Sequence, residues 1–167
     1  MFEIKYKIIS DDSDDYYGQN GYFQIVCNGH TFGFVFESDV SICCVDLENW
    51  MIGLIDVLMI IKKNQSCYLC DTESFETWLS FKRHDDYVII AVIKGTRQIG
   101  SKQIELALSD IRPGDWDNQY VLYEDFKYEI LRVVKLYLNE ISLKNMGDVV
   151  EGLLHTLRYR IWQIEKL

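Results

Sequence analysis

The sequence lacks the features that mark membrane proteins and secreted disulfide scaffolds. Its longest apolar run, WMIGLIDVLMII at 50–61, is too short to span a bilayer and is interrupted by Asp56. The five cysteines are an odd number without framework spacing, which favours reduced thiols. The opening MFEIKYKIIS alternates polar and apolar residues, so it indicates a strand and not a signal peptide. We therefore expect a cytoplasmic protein that makes no use of a membrane.

Proline is almost missing, and basic residues are scarce in the first third of the chain. One proline and ten glycines among 167 residues argue against a disordered or fibrous chain, and the length suits a single domain over 1–167. The net charge is −9, and residues 1–61 carry −8 of it with only two lysines. Such a surface disfavours nucleic acid and anionic lipid, which need clustered Lys and Arg. A basic protein partner fits better.

Period-two patterns dominate the N-terminal third. FEIKYKI at 2–8 predicts a half-buried strand, and Asn28-Gly29 predicts a tight hairpin turn between strands at about 21–27 and 30–36. Four later segments separated by turn residues, SCYLCD, SFETWLSF, DYVIIAVI and KQIELAL, predict an antiparallel meander, although SFETWLSF also fits a short helix.

Helical periodicity occurs three times. The segment after Asp46, its predicted N-cap, predicts a central helix whose apolar stripe packs across a sheet. Two C-terminal helices are predicted at about 119–140 and from Asp148 nearly to the C-terminus, the second opened by a capping box of Asp148 and Glu151. Strands followed by helices predict an α+β fold: a mainly antiparallel sheet of about seven strands, one central helix and two C-terminal helices.

The aspartate cluster in SDDSDDYY at 10–17 is the most conspicuous candidate site. An EF-hand starting at Asp12 would need an oxygen ligand, Gly and Glu where Tyr16, Tyr17 and Phe23 stand, so we predict no metal there. A solvated strand connection and a protein-binding loop both remain open. Tyrosine is enriched at interface hot spots, which favours the second. The candidate partner-binding residues here are Asp11, Asp12, Asp14, Asp15, Tyr16 and Tyr17.

Further candidates for the same surface lie elsewhere in the chain. Glu37, Asp39, Asp46 and Glu48 add negative charge within the acidic N-terminal portion. Trp116 lies in RPGDWDNQY at 112–120, which we predict to be a turn-rich connection, and an exposed tryptophan between acids is a plausible interface anchor.

Patterns that would indicate catalysis or a cofactor are weak. Cys67-x-x-Cys70 has no second ligand pair for structural zinc, and no nucleophile elbow, metalloprotease motif or phosphate-binding loop occurs. His84 beside Asp85 and Asp86 could be an acid–base group, but a tight turn explains the same residues. We expect no cofactor and no enzyme, with a small enzyme or ligand-binding domain at this turn as the alternative.

Several segments together resemble the immunity proteins of bacterial polymorphic-toxin systems, in particular those of contact-dependent growth inhibition. The segments are FEIKYKI, GYFQIVCNGHTFGFVF, ENWMIGLIDVLMIIKK, WLSFKRHDDYVIIAVI and the terminal helical pair. The resemblance lies in layout, size and acidity and includes no catalytic motif. It implies a cytosolic antitoxin that neutralises a cognate toxin C-terminal domain, often a nuclease with a basic cleft. An acidic adaptor or secretion chaperone is a further alternative.

Overall fold

The computed structural model has the predicted α+β fold, with two antiparallel sheets and three α-helices. It describes residues 1–39, 43–74, 76–98, 100, 102–145 and 148–166. Within these ranges the strands are β1 Phe2–Ile8, β2 Asn20–Cys27, β3 His30–Phe34, β4 Val45–Asp46, β5 Cys67–Cys70, β6 Thr77–His84, β7 Tyr87–Lys94, β8 Ile104–Glu105 and β9 Arg112–Leu122. The α-helices are α1 Leu47–Ile61, α2 Tyr123–Lys144 and α3 Glu151–Glu165.

The first sheet contains β1, β2 and β3 in that order, and β4 also pairs with β2. The predicted hairpin is confirmed, because Asn28 and Gly29 have φ values of 49° and 90° and connect the paired residues Cys27 and His30. β1 pairs with β2 along its whole length and is an edge strand of this sheet.

The second sheet has the order β8-β5-β6-β7-β9. SFETWLSF contributes strand β6, so its helical alternative is wrong. KQIELAL supplies only the two-residue strand β8, which pairs with β5 and not with β7. The predicted turn-rich connection at 112–120 is also wrong, because these residues belong to β9, an edge strand where Pro113 is tolerated.

Helix α1 lies at the centre of the core, as its wide apolar stripe predicts. Asp46 is its N-cap and accepts a hydrogen bond from Asn49 N at 2.9 Å, which confirms the predicted cap. Trp50 stacks on Phe23 of β2 with ring centroids 4.4 Å apart, while Leu69 of β5 belongs to the same buried cluster. The helix therefore joins the inner faces of both sheets.

The two C-terminal helices cover this core. α2 begins at Tyr123, four residues later than expected at 119, because β9 continues to Leu122. Asp148–Val150 form a 3-10 turn before α3, and no side chain caps α3, so the predicted capping box is wrong. No helix in the described part of the chain is long and apolar enough to cross a membrane.

Candidate functional site

The connection between β1 and β2 (residues 10–19, called the acidic loop below) is ordered by its own aspartates. Asp11 Oδ1 accepts hydrogen bonds from Ser13 N and Ser13 Oγ, each at 3.0 Å. Asp14 Oδ2 accepts one from Asp11 N at 3.1 Å. The backbone hydrogen bond from Ser13, helped by the Ser13 hydroxyl, lowers the pKa of the Asp11 carboxyl below its usual value. Two of the four aspartates thus shape the loop.

The second half of the acidic loop is fixed to the helices. The Tyr16 phenol donates a hydrogen bond to Glu48 Oε2 at 2.5 Å, in the first turn of α1. At the C-terminal end of α2, the Asn145 side chain accepts from Tyr17 N and donates to Tyr17 O, both at 2.8 Å. Tyr137 of α2 donates to Gly18 O at 2.8 Å. These contacts hold the loop in one conformation.

The two tyrosines predicted as interface residues therefore have structural contacts. Tyr16 packs against the hydrophobic core, and burial, followed by its hydrogen bond to Glu48, raises its pKa. Burial likewise raises the pKa of Tyr17. Both rings are half-buried. Their direct contact with a partner stays a prediction, but their role in anchoring the acidic loop is visible.

The carboxylates that the loop presents to solvent are those of Asp11, Asp12 and Asp15, which are exposed. Asp14 is half-buried and accepts a hydrogen bond from Asn20 Nδ2 at 2.8 Å. Asn20 pairs with Asp46 across β2 and β4, so the fold brings the acidic loop beside the N-terminus of α1.

Cys44 directly precedes β4, which pairs with β2 beside the acidic loop. Burial raises the pKa of its thiol, and the nearby carboxylates of Asp14 and Asp11 raise it further. Glu48 and Asp46 complete the same acidic end of the molecule, although each already bonds within the protein. The loop aspartates and the start of α1 therefore form one negative surface.

Glu37 and Asp39 lie on the connection after β3, where Lys7 offsets the charge of Asp39. Lys7 Nζ is 2.5 Å from Asp39 Oδ1 and donates to Glu37 O at 2.9 Å. Both acids are exposed. No contact links them to the acidic loop among the described residues, so their membership in the same surface stays a prediction.

Trp116 does not lie on an exposed loop, so its expected position is wrong. It belongs to β9, its side chain is 5% exposed, and its indole stacks on the His30 ring with centroids 5.7 Å apart. Strand pairing with Val92 turns the indole inward. We leave Trp116 out of the proposed interface.

The positions considered for catalysis or metal binding lack the features of such sites: the residues of the His84 turn are exposed, and the Cys67 thiol is protonated. His84 Nδ1 is 3.3 Å from Asp85 Oδ2 at the β6–β7 turn, and their side chains are 66% and 87% exposed. Burial raises the pKa of Cys67 to about 12, so this thiol keeps its proton. No group of three or more metal-ligating side chains occurs among the residues that the structure describes.

Two surface features escaped the sequence reasoning. Along the exposed side of α3, Tyr159 stacks on both His155 and Trp162, and Lys166 Nζ lies 4.4 Å from the Trp162 ring centroid. These four residues recur at steps of three and four, so the helical period alone would have predicted that they share one side of α3. The second feature is a groove between β1 and α2, which depends on a tertiary contact that no local pattern predicts.

Comparison with protein-family models, curated proteins and solved structures gives no match. The acidic end presents exposed carboxylates on a loop whose backbone is held by hydrogen bonds to both α1 and α2. It can attract and orient a cationic surface.

Proposed function

We propose that this protein is an immunity protein that binds and neutralises a cognate toxin domain. The main support is that the acidic loop presents exposed carboxylates while hydrogen bonds fix it to α1 and α2. Tyr16 and Tyr17 donate hydrogen bonds to Glu48 and Asn145, and Gly18 O accepts one from Tyr137, so the loop is fixed to two helices. A recognition surface gains affinity from being fixed before binding. The resemblance in layout to polymorphic-toxin immunity proteins points to the same function.

A basic substrate-binding cleft is the surface that this loop would complement. Nucleases bind phosphates with clustered Lys and Arg, and exposed carboxylates can occupy the same positions. The bound protein then excludes substrate by steric and electrostatic means. Long-range attraction would support association rate constants of ~10⁸ M⁻¹s⁻¹ at low ionic strength.

Preorganisation lowers the cost of association. Four clustered aspartates repel one another, and a mobile loop would lose conformational entropy on binding as well. Here Asp11 and Asp14 are engaged by Ser13, the loop backbone and Asn20, which leaves Asp11, Asp12 and Asp15 at defined positions. Protection of a cell at low protein concentration calls for nanomolar affinity, about −12 kcal/mol.

Co-expression tests the proposal directly. The toxin to be tested is the C-terminal domain of a large secreted protein encoded next to this gene, produced from an inducible promoter with and without this protein. Immunity predicts that cells survive toxin induction and that the two proteins co-purify in a 1:1 complex. An adaptor or secretion chaperone would co-purify without protecting the cells. Neither protection nor co-purification would contradict the proposed function.

A further inference from the structure

A cavity of about 430 Å³ lies beside the first turns of α1 (called the aromatic cavity below). Its walls come from β2 and β3, from Cys43, Cys44 and Val45, from Trp50 of α1, and from the connection between β5 and β6. The volume falls within the range of about 300–1,000 Å³ that is usual for small-molecule sites. The aromatic cavity therefore has room for a small ligand.

Four aromatic rings line the aromatic cavity, those of Phe23, Phe32, Phe34 and Trp50. Trp50 stacks on Phe23 and meets Phe32 edge-on, with centroids 5.8 Å apart in the second pair. Phe32 and Phe34 point to the same face of β3, because side chains alternate along a strand. Phe34 is 38% exposed, so its ring is available to a ligand. Aromatic faces attract both apolar groups and cations.

Two carboxylates lie in the same wall, those of Asp71 and Glu73. Asp71 Oδ1 accepts a hydrogen bond from Glu73 N at 3.1 Å, while Asp71 Oδ2 and the Glu73 carboxylate have no hydrogen bond or ion pair within the described chain. Burial raises the pKa of Asp71, although the Glu73 amide and Lys94 oppose the shift. The Lys94 ammonium donates to Thr77 Oγ1 at 2.8 Å and does not line the cavity. Asp71 would therefore gain from a cation bound beside it.

The negative surface described above extends to the aromatic cavity. Cys44 lines the cavity, and its thiol pKa is raised by the carboxylates of Asp14 and Asp11 in addition to burial. The cavity thus lies in a region of negative potential, which favours a cation and disfavours an anion.

Trp50 carries a polar group that lacks a partner. Its side chain is 2% exposed, and the buried Nε1 has no hydrogen-bond partner within the part of the chain that the structure describes. Trp78, which is also buried, donates from its Nε1 to Gly95 O at 3.1 Å. Buried polar groups are normally hydrogen-bonded, and an oxygen of a molecule bound in the cavity can accept from Trp50.

We propose that the aromatic cavity binds a small organic cation, with an ammonium group on an apolar body that also carries an oxygen acceptor. The rings contact the apolar body and the alkyl groups on nitrogen, as in aromatic sites for quaternary ammonium ligands. Asp71 and Glu73 offset the positive charge. A neutral apolar molecule would leave both carboxylates unpaired. Because the ligand is a small molecule, its binding is independent of the proposed toxin interface.

Calorimetric titration of the free protein with choline tests the proposal. The matched probe is 3,3-dimethylbutan-1-ol, which has carbon in place of the charged nitrogen and keeps the hydroxyl group. Choline should bind at least about tenfold more tightly. In NMR spectra, choline should shift the indole N–H signal of Trp50 and leave that of Trp78 in place. Absence of saturable choline binding, or equal affinity for the two probes, would overturn the proposal.

Variants locate the site of binding. Asp71→Asn combined with Glu73→Gln removes both charges, and Asn keeps an oxygen that can accept from Glu73 N. We expect choline to bind about tenfold more weakly and the neutral alcohol to bind as before. Asp85→Asn combined with Asp86→Asn makes the same charge change at the β6–β7 turn and should bind choline like the wild type. Equal affinities for choline in the two double variants would overturn the site.

Glu73→Gln alone guards against misfolding of the double variant. Glu73 is exposed and makes no side-chain hydrogen bond or ion pair within the described chain, so the fold should be kept, and choline affinity should fall by about threefold. Unchanged affinity would argue against the site.

A lysine or arginine side chain of the toxin domain is the competing occupant. If the Trp50 indole signal shifts in a toxin complex but not with choline, the cavity takes a protein side chain and the proposed ligand is wrong. Failure of the toxin domain to bind would contradict the proposed function only, since the choline titration uses the free protein.

Discussion

Tyr16 donates a hydrogen bond from its phenol to the Glu48 carboxylate, with 2.5 Å between the two oxygens. The contact joins residues 32 positions apart and ties the acidic loop to the first turn of α1. Because Glu48 suits the positive end of the helix dipole, the same carboxylate supports both the helix and the loop. The position of the negative surface is thus set by the helix that forms the core.

Tyr16→Phe removes this hydrogen bond and keeps the ring. We expect the free energy of unfolding to fall by about 1–2 kcal/mol, since the bond involves a charged acceptor and is half-buried. Urea denaturation measures the change. Tyr120→Phe is the control, because Tyr120 is 57% exposed, and it should change stability by less than about 0.5 kcal/mol. Equal effects of the two substitutions would contradict the anchoring role of Tyr16.

Gly18→Ala should loosen the acidic loop. Gly18 has a φ of 101°, and an added Cβ would lie 2.4 Å from Cγ2 of Ile141. Gly29 has a φ of 90° with no atom within 4 Å of the added Cβ, so Gly29→Ala isolates the backbone strain. We expect Gly18→Ala to cost about 1–3 kcal/mol more than Gly29→Ala in thermal or urea unfolding. A smaller cost at Gly18 would show that α2 does not pack tightly on the loop.

Glu129→Ala should destabilise the protein by about 3 kcal/mol, because it leaves Ile4 N and Arg132 without their buried acceptor. Glu129 is 7% exposed. Glu124→Ala removes an exposed carboxylate 3.7 Å from Lys127 on the same helix and should cost less than about 0.5 kcal/mol. Denaturant unfolding of both variants gives the comparison, and near-equal values would refute the role of Glu129 at the β1 edge.

Alkaline pH should destabilise the folded state through the buried thiols. Burial raises the pKa of Cys67 from 9.0 to about 12 and that of Cys27 from 9.0 to about 11. The folded state therefore binds the thiol proton more tightly than the unfolded state does. Stability is fully retained below pH 9 and is lost as pH rises from there towards these folded-state values, by about 1.4 kcal/mol per pH unit for each thiol.

Cys67→Ala should remove one thiol from this pH dependence. Its free energy of unfolding should fall less steeply between pH 9 and pH 10 than that of the wild type, whatever its stability at pH 7. If the free energies of unfolding of wild type and Cys67→Ala fall with the same slope over this pH range, the expected contribution of Cys67 to the pH dependence is wrong.

The sequence predicted correctly those elements that depend on the conformational preferences of a few neighbouring residues. Asn28-Gly29 can adopt positive φ, and Asp46 can cap a helix, so the hairpin and α1 follow from the sequence. Strand β9 could not be found this way, because Pro113, Gly114 and the neighbouring acids indicate a turn. Pairing with β7 keeps them extended, and an added Cβ at Gly114 would lie 2.3 Å from Val92 O.

The candidate site could be predicted only in part, because some of its contacts join residues that are far apart in the sequence. Composition placed negative charge in the first third of the chain, and three of the four loop aspartates, Asp11, Asp12 and Asp15, are exposed. The roles of Tyr16 and Tyr17 depend on Glu48 and Asn145, which are 32 and 128 positions away, and no period or motif encodes such distant hydrogen bonds. The groove beside β1 depends on Glu129 and Arg132 in the same way.

We propose that the acidic loop attracts a basic toxin domain. The direct measurement is the association rate constant with the toxin domain identified by co-expression, by stopped flow over a range of ionic strength. Asp11, Asp12 and Asp15 are changed together to Asn, which at position 11 keeps an oxygen that can accept from Ser13. Asp14 is kept because it is half-buried and accepts hydrogen bonds from Asn20 and from the loop backbone. The control changes three other exposed aspartates, Asp86, Asp115 and Asp117, to Asn and so matches the change in net charge.

We predict that the loop variant associates about tenfold more slowly than the wild type at low ionic strength, with a flatter dependence on salt. The control should stay close to the wild type, because its aspartates lie on the turn before β7 and on β9. Equal association rates and equal salt dependence for the two triple variants would contradict the claim and place the interface elsewhere.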